Sequence, residues 1–434
     1  MMSAELRRNL WLEISQTRLA AIPLLLALIF WGLSSMREPD DYQFLSGAAL
    51  VLFTLICSLW GAHLASSSIT EEAQAQTWDW QRLSSQSPAE LMVGKLFGST
   101  VLAWYGGAWC LAAHLALTVL TRQLPSANWL CLSIASAVII QAGSMLLTLS
   151  TPPDQRPVHQ QKRGMSALRL LIIIIVLQSI GGLGSKLANS NSTVQWYGAD
   201  IQLLTFVAVS SIFWAAWALF GCVQRLSTLL RCPTTPAPWL IFVVWCMFYF
   251  AGFTHVFADI INSKEAISGA AYYCITAYIV ALVLALTLAL QEDQSPVSWR
   301  MWLTALRNRH YPLAWQRTPR WIATLIPVFI ALCFAIFETT TTSPWLLSTP
   351  LVLLLRDAVI LYCLYWTPGR TRPQLAFSIY LLLVYLLLPY LLSPLKLLFY
   401  PSMENPALSL MGFGIEAVLA IAFCNYRWKT FYAN

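Results

Sequence analysis

Ionised side chains inside long apolar runs are costly at mid-bilayer and are kept there for pairing, gating or contact with cargo. Arg356, Asp357 and Glu416 are three such residues in this chain, and His63 and His114 fall in two other apolar runs. Neighbouring helical residues point about 100° apart, so Arg356 and Asp357 are expected to face different ways. Two readings stand for them: an ion pair such as Arg356 with Glu416 across two helices, or a gating or substrate-contact role. The two histidines read as satisfied packing residues. Ten cysteines are scattered mostly through apolar runs without a CxxC pair, and no cluster has metal-ligand spacing, so neither zinc nor a disulfide framework is expected.

A second group lies between apolar runs, in segment 68–95. It holds Glu71, Glu72, Thr77, Trp78, Asp79, Trp80, Arg82, Ser87, Pro88, Glu90, Gly94 and Lys95. Ser68 with Glu71 and Ser87 with Glu90 each fit the S-x-x-E capping box, and Pro88 stands at a first helical position, where its missing N–H is harmless. The pattern predicts a helix of about three turns from Glu71 to Leu83, a break, and a helix running into the next apolar run. Trp78 and Trp80 need something to rest on: the lipid interface, or a groove on a partner protein.

The elements that must position these groups are membrane helices. The chain is 58% hydrophobic and 10% charged over 434 residues, which excludes an ordinary soluble domain. Twelve apolar runs have the length to span, at about 18–36, 44–66, 97–120, 129–150, 167–184, 201–222, 239–258, 268–290, 321–338, 345–366, 376–392 and 408–426. With the N-terminus inside, 20 of the 26 Lys and Arg residues fall in cytoplasmic segments. This asymmetry predicts an all-α membrane protein of about twelve transmembrane helices with both termini cytoplasmic. The net charge of +7 is then topological, and no nucleic-acid partner is expected. No cleavable signal is expected, since the first run lacks a small-residue cleavage site. Ahead of it, Leu6, Leu10 and Ile14 recur at helical spacing beside Trp11, predicting an interfacial helix over 1–17 that either anchors the chain or helps to hold a partner.

Segment 68–95 resembles that of ABC-2 type transporter permeases: a Glu-Glu pair, Thr77 and Asp79 beyond it, then Ser-Pro-x-Glu-Leu, and Gly94-Lys95 leading into a span. The match covers about the first 120 residues. It implies the transmembrane subunit of an ABC exporter, with 1–17 as elbow helix. Glu71, Glu72, Thr77, Trp78, Asp79, Arg82, Ser87, Pro88, Glu90, Gly94 and Lys95 would then form the ATPase-coupling region. The chain departs from that family in having twelve spans where six are usual. It also carries no GxxxxGK[ST] loop, so it is not expected to be an enzyme or to bind a cofactor itself. ATP and magnesium would sit in a partner ATPase dimer, in a bacterial inner membrane.

A shift of 221 residues lays Glu71-Glu72 on Glu292-Asp293 and Trp78 on Trp299, so segment 291–320 reads as a degenerate second coupling segment. The expected organisation is a first six-span half over 18–222, a linker over 223–238, a second half over 239–426 and a tail over 427–434. If the halves are a duplication, one chain supplies a whole transmembrane domain; if not, a homodimer or a second permease is needed. Two other classes stay open: an ion-coupled secondary transporter using Arg356, Asp357 and Glu416, and a membrane enzyme acting on lipid-linked substrates. The substrate is not legible. The Gly181–Gly184 stretch, Trp196-Tyr197-Gly198 and 394–400 read as re-entrant or interfacial segments.

Overall fold

A computed structural model describes residues 3–35, 42–75, 77–121, 127–150, 192–253, 269–292, 295–339, 344–366, 373–387, 391 and 405–432. The expected fifth span at 167–184, Asp293, Gly181–Gly184 and the 394–400 stretch lie outside these residues. The chain divides into two compact units, Met1–Val194 with Asp200–Thr234, and Gln195–Ala199 with Thr235–Asn434.

In the first unit, α1 (Ala4–Glu13) and α2 (Gln16–Ser35) lead into α3 (Tyr42–Thr54), a π turn (Leu55–Trp60) and α4 (Gly61–Gln74), which together form one rod. After a break come α5 (Trp78–Arg82), α6 (Pro88–Val93), a second π turn (Gly94–Gly98), α7 (Val101–Leu120), α8 (Ala127–Ser150) and α9 (Leu203–Leu229). A hairpin of β1 (Thr193–Trp196) and β2 (Ala199–Gln202) precedes α9. Tyr197 and Gly198 at its tip both have positive φ, as tight hairpin turns require.

The second unit contains α10 (Ala237–Ala251), α11 (Gly269–Gln291), α12 (Pro296–Arg307), α13 (Tyr311–Arg317), α14 (Arg320–Glu338) and α15 (Pro344–Tyr365). It closes with α16 (Pro373–Leu382), a third π turn (Leu383–Leu387) and α17 (Pro406–Tyr432). Among the described residues, nine helices are long and apolar enough to cross a membrane, and the chain is a nearly all-helical, multi-pass membrane protein.

The packing is that of helices whose solvent is lipid. On α14 the small residues Ala323, Thr324, Ala331 and Ala335 are buried, while Ile326, Phe329, Ile330, Phe334 and Phe337 face outward. A water-soluble helix would invert this, because burying the large apolar groups is what stabilises it. In a bilayer those groups lose nothing outside, and small residues let backbones approach.

Three expectations about local structure are corrected. Ser68 does not start a helix: the rod runs through it to Gln74, and its hydroxyl donates to Ala65 O at 2.9 Å. A backbone already hydrogen-bonded to the preceding turn has no orphan N–H for a cap to satisfy. The helix expected over Glu71–Leu83 is therefore the end of α4 at Gln74 and, separately, the short α5 from Trp78. At the other end of the segment the Ser87 capping box forms in full. The linker and tail expectations shorten as well, since α9 continues to Leu229 and α17 to Tyr432, carrying Lys429 in its last turn, where a cation suits the helix dipole. On α1, polar Glu5 is buried and Trp11, Leu12 and Ile14 are exposed.

Candidate functional site

In the first unit, the second π turn, α1 and the end of α4 build an ion cluster at the base of segment 68–95. Gly94 and Gly98 lie four residues apart on one side of their π turn, giving α1 a bare surface to pack on. A Cβ on Gly94 would stand 2.7 Å from Glu5 Cβ, and one on Gly98 would stand 2.8 Å from Asn9 Cβ. The wider turn also redirects backbone carbonyls, and Gly94 O accepts from Asn9 Nδ2 at 2.9 Å.

With α1 seated, Glu5 and Arg8 reach the ends of α4 and α6. Lys95, 1% exposed at its side chain, pairs with Glu72 and lies 3.6 Å from Glu5 Oε1. Arg8 spans both carboxylates, at 2.8 Å from Glu5 and 3.1 Å from Glu72. Two cations and two anions balance, which is what makes burying them tolerable. Burial pulls the Lys95 ammonium below its ordinary value, while Glu72 and then Glu5 oppose the shift.

The other residues of the segment are dispersed around this cluster. Arg82 Nε donates to Leu229 O at 3.3 Å, satisfying a carbonyl at the end of α9. Thr77 donates to Glu72 O through both its amide and its hydroxyl, which fixes the break. Ser87 holds Glu90 in the capping box, and hydrogen bonds from the Ser87 amide and then its hydroxyl lower the Glu90 carboxyl from its ordinary value. Glu71 is exposed, Trp80 is 76% exposed and Leu83 is 83% exposed. The side chains of Trp78 and Asp79 lie outside what is described.

Replacing Gly94 with Ala is expected to lift α1 from its seat, since the new methyl would also meet the Leu6 backbone N at 2.9 Å, and backbone cannot swing aside as a side chain can. The expected cost is about 1–3 kcal/mol, read as faster limited proteolysis near residues 13–16 and a lower melting temperature in detergent.

Sequence reasoning singled out Glu72 and Lys95 but missed Glu5, Arg8, Asn9 and Gly98. The signals were present in the Gly94-x-x-x-Gly98 spacing and in the i, i+3, i+4 placement of Glu5, Arg8 and Asn9. In segment 291–320, Glu292 accepts from the Arg320 amide at 2.7 Å and the Trp321 amide at 3.4 Å, so it caps α14. Trp299 packs edge-on against Trp302, Tyr362 and Trp366, within the unit.

The second unit holds its own buried cluster. Arg356 NH1 donates to Glu416 at 2.5 Å, the expected pair between α15 and α17. Arg356 also meets Asp357, at 3.0 Å from Nε and 2.9 Å from NH2, which corrects the expectation that the two face apart. Their Cβ vectors do diverge, but the arginine stem is long enough to curl its guanidinium back over a short aspartate. Tyr380 and Tyr385 complete the group, and neither was singled out in the sequence. His114 is a buried packing residue bonded to Ser46 at 2.9 Å, whereas His63 is exposed on α4, because its helix turns it away from the core formed by Ala65 and Ile69. Among the described residues no group of three His, Cys, Asp or Glu could hold a metal ion. Comparisons with protein-family models, curated proteins and solved structures give no match.

Proposed function

We propose that the chain is the membrane-spanning permease subunit of an ATP-binding cassette transporter of the ABC-2 type, working as an exporter in a bacterial inner membrane. In this reading it has twelve spans and cytoplasmic termini. A separate ATPase dimer binds ATP and magnesium. The observation that carries the reading is the contrast within segment 68–95. Its tip offers Trp80 and Leu83 to the outside, while its two ends are tied by Glu72 and Lys95 into one ion cluster with α1. An exposed aromatic on a firmly held base is suited to receive a partner's movement and pass it to α1, α4 and α6.

Each unit, taken by itself, also favours one chain supplying both halves. In the first, α8 packs most extensively on α9, and α3 on α7; in the second, α17 packs on α15, and α11 on α14. Both units place short helices between those last two elements, α5 in one and α12 with α13 in the other.

The test is co-expression with candidate ABC ATPase subunits, followed by purification in mild detergent. Trp80→Ala is expected to cut ATPase recovery about tenfold or more, as loss of an interface anchor does. Because Trp80 is exposed, the melting temperature of the permease alone should not change. Failure of the wild-type chain to retain any ATPase sinks the reading. A second reading, an ion-coupled secondary transporter, is favoured by the charged cluster around Arg356; transport that persists without ATP and collapses with the proton gradient would select it.

A further inference from the structure

The cluster around Arg356 has an unbalanced charge. Arg356 lies twelve residues into α15 and Glu416 ten into α17, so both stand about 15–18 Å from those helix ends, deep in apolar helices. Two carboxylates face one guanidinium, a net charge of −1 where charge is least tolerated. The four groups of the first unit's cluster carry no such excess.

The hydrogen bonds say which carboxylate carries the excess. Asp357 takes the larger share of the donors. Its Oδ1 accepts from Tyr380 at 2.8 Å and from Arg356 Nε at 3.0 Å, and its Oδ2 accepts from Tyr385 at 2.6 Å. With three donors aimed at it, the ionised form of Asp357 is the better stabilised of the two carboxylates, and it pairs Arg356 from the same helix. Glu416 is the second anion, held to Arg356 through Oε2, with a side chain 31% exposed.

The third π turn is what makes this arrangement possible. Five residues of regular α-helix subtend about 500°, which would leave Tyr380 and Tyr385 roughly 140° apart around the axis. The π turn Leu383–Leu387, with its i→i+5 repeat, returns Tyr385 toward the face of Tyr380, and both hydroxyls reach one aspartate. Tyr385 also accepts from Arg356 NH2 at 2.9 Å.

We propose that Glu416 is a proton-binding site, with Asp357, Tyr380 and Tyr385 fixing Arg356 as its positioning partner. A proton delivered from hydronium binds the Glu416 carboxylate, leaving a carboxylic acid and water, and takes the cluster from −1 to neutral. With the proton bound, Arg356 NH1 faces a neutral acid; with it released, NH1 faces a carboxylate and grips it. The link between α15 and α17 thereby responds to proton occupancy. Among the described residues, the titratable groups around Glu416 are Arg356 and Asp357 on α15, with Tyr380 and Tyr385 behind Asp357 on the α16 rod. Cys424, on α17 itself, lies two turns away against Cys363.

Infrared spectroscopy of the full-length protein in nanodiscs, followed from about pH 4 to about pH 9, tests this. The expected result is one protonated-carboxyl C=O band per chain that is lost as pH rises, together with its complete absence in Glu416→Gln. If Glu416→Gln does not fold, carbodiimide labelling of the wild-type chain with peptide mapping reads the same site, since the reagent adds to protonated carboxyls. The expected adduct is on Glu416, declining with pH and indifferent to sodium. Glu416 found ionised throughout, or labelled only when sodium is removed and regardless of pH, overturns the proposal. The first outcome leaves a fixed ion triad, and the second a sodium site. Neither result touches the ATPase, so this proposal and the exporter reading fail separately.

Discussion

Lys95→Leu is expected to destabilise the protein by about 3–5 kcal/mol, the range seen when one partner of a buried ion pair is removed. The substitution leaves the Glu72 and Glu5 carboxylates facing each other, with half-exposed Arg8 as the remaining cation. The leucine also has no use for the close backbone approach that the Gly94–Gly98 turn provides. The measurement is a denaturation midpoint in detergent, followed by fluorescence. Lys95→Leu combined with Glu72→Leu should lie nearer wild type than the single variant, because replacing both members of a buried pair with apolar groups removes the orphaned charge. A double variant as unstable as the single would mean that Lys95 matters through its shape and not its charge.

Arg356→Leu is expected to be of the same size, about 3–5 kcal/mol, for a related reason: it strands Asp357 and Glu416 in the apolar spans with only tyrosine hydroxyls between them. Arg356→Lys keeps the charge, yet it should recover only part of the loss. A guanidinium donates in three directions here, through Nε and NH2 to Asp357, NH2 to Tyr385 and NH1 to Glu416. An ammonium is a compact point charge that cannot span those partners in one plane. Thermal unfolding of the two variants side by side would check this; equal stability of Arg356→Lys and wild type would show that charge alone holds α15 to α17.

Parts of both clusters could be read from the chain. Glu72 and Lys95 stood out among eleven residues through the resemblance of segment 68–95 to a known pattern, and Arg356, Asp357 and Glu416 because charge in an apolar run is conspicuous. What each residue touches was less legible. Arg8 meets Glu72, and Glu5 meets Lys95, across more than sixty residues of chain, and only the seating of α1 on the two glycines decides that. The amphipathic reading of α1 did not foresee the ion pairs made by its polar face. Helical periodicity also misled at Ser68, where a capping pattern sits within a rod that never stops. A four-residue motif cannot tell whether the preceding turn is already helical.

The sequence by itself determined that this is a multi-pass helical membrane protein, because the free energy of moving an apolar side chain into lipid is local, sums along a run, and needs no knowledge of neighbours. It also determined the Ser87 cap, whose partners lie three residues apart. Only the tertiary structure decided which charges pair, and where a helix widens into a π turn to bring them together. Those outcomes depend on separations of a few ångströms between distant residues, and on a backbone irregularity near Tyr385 that follows no local propensity.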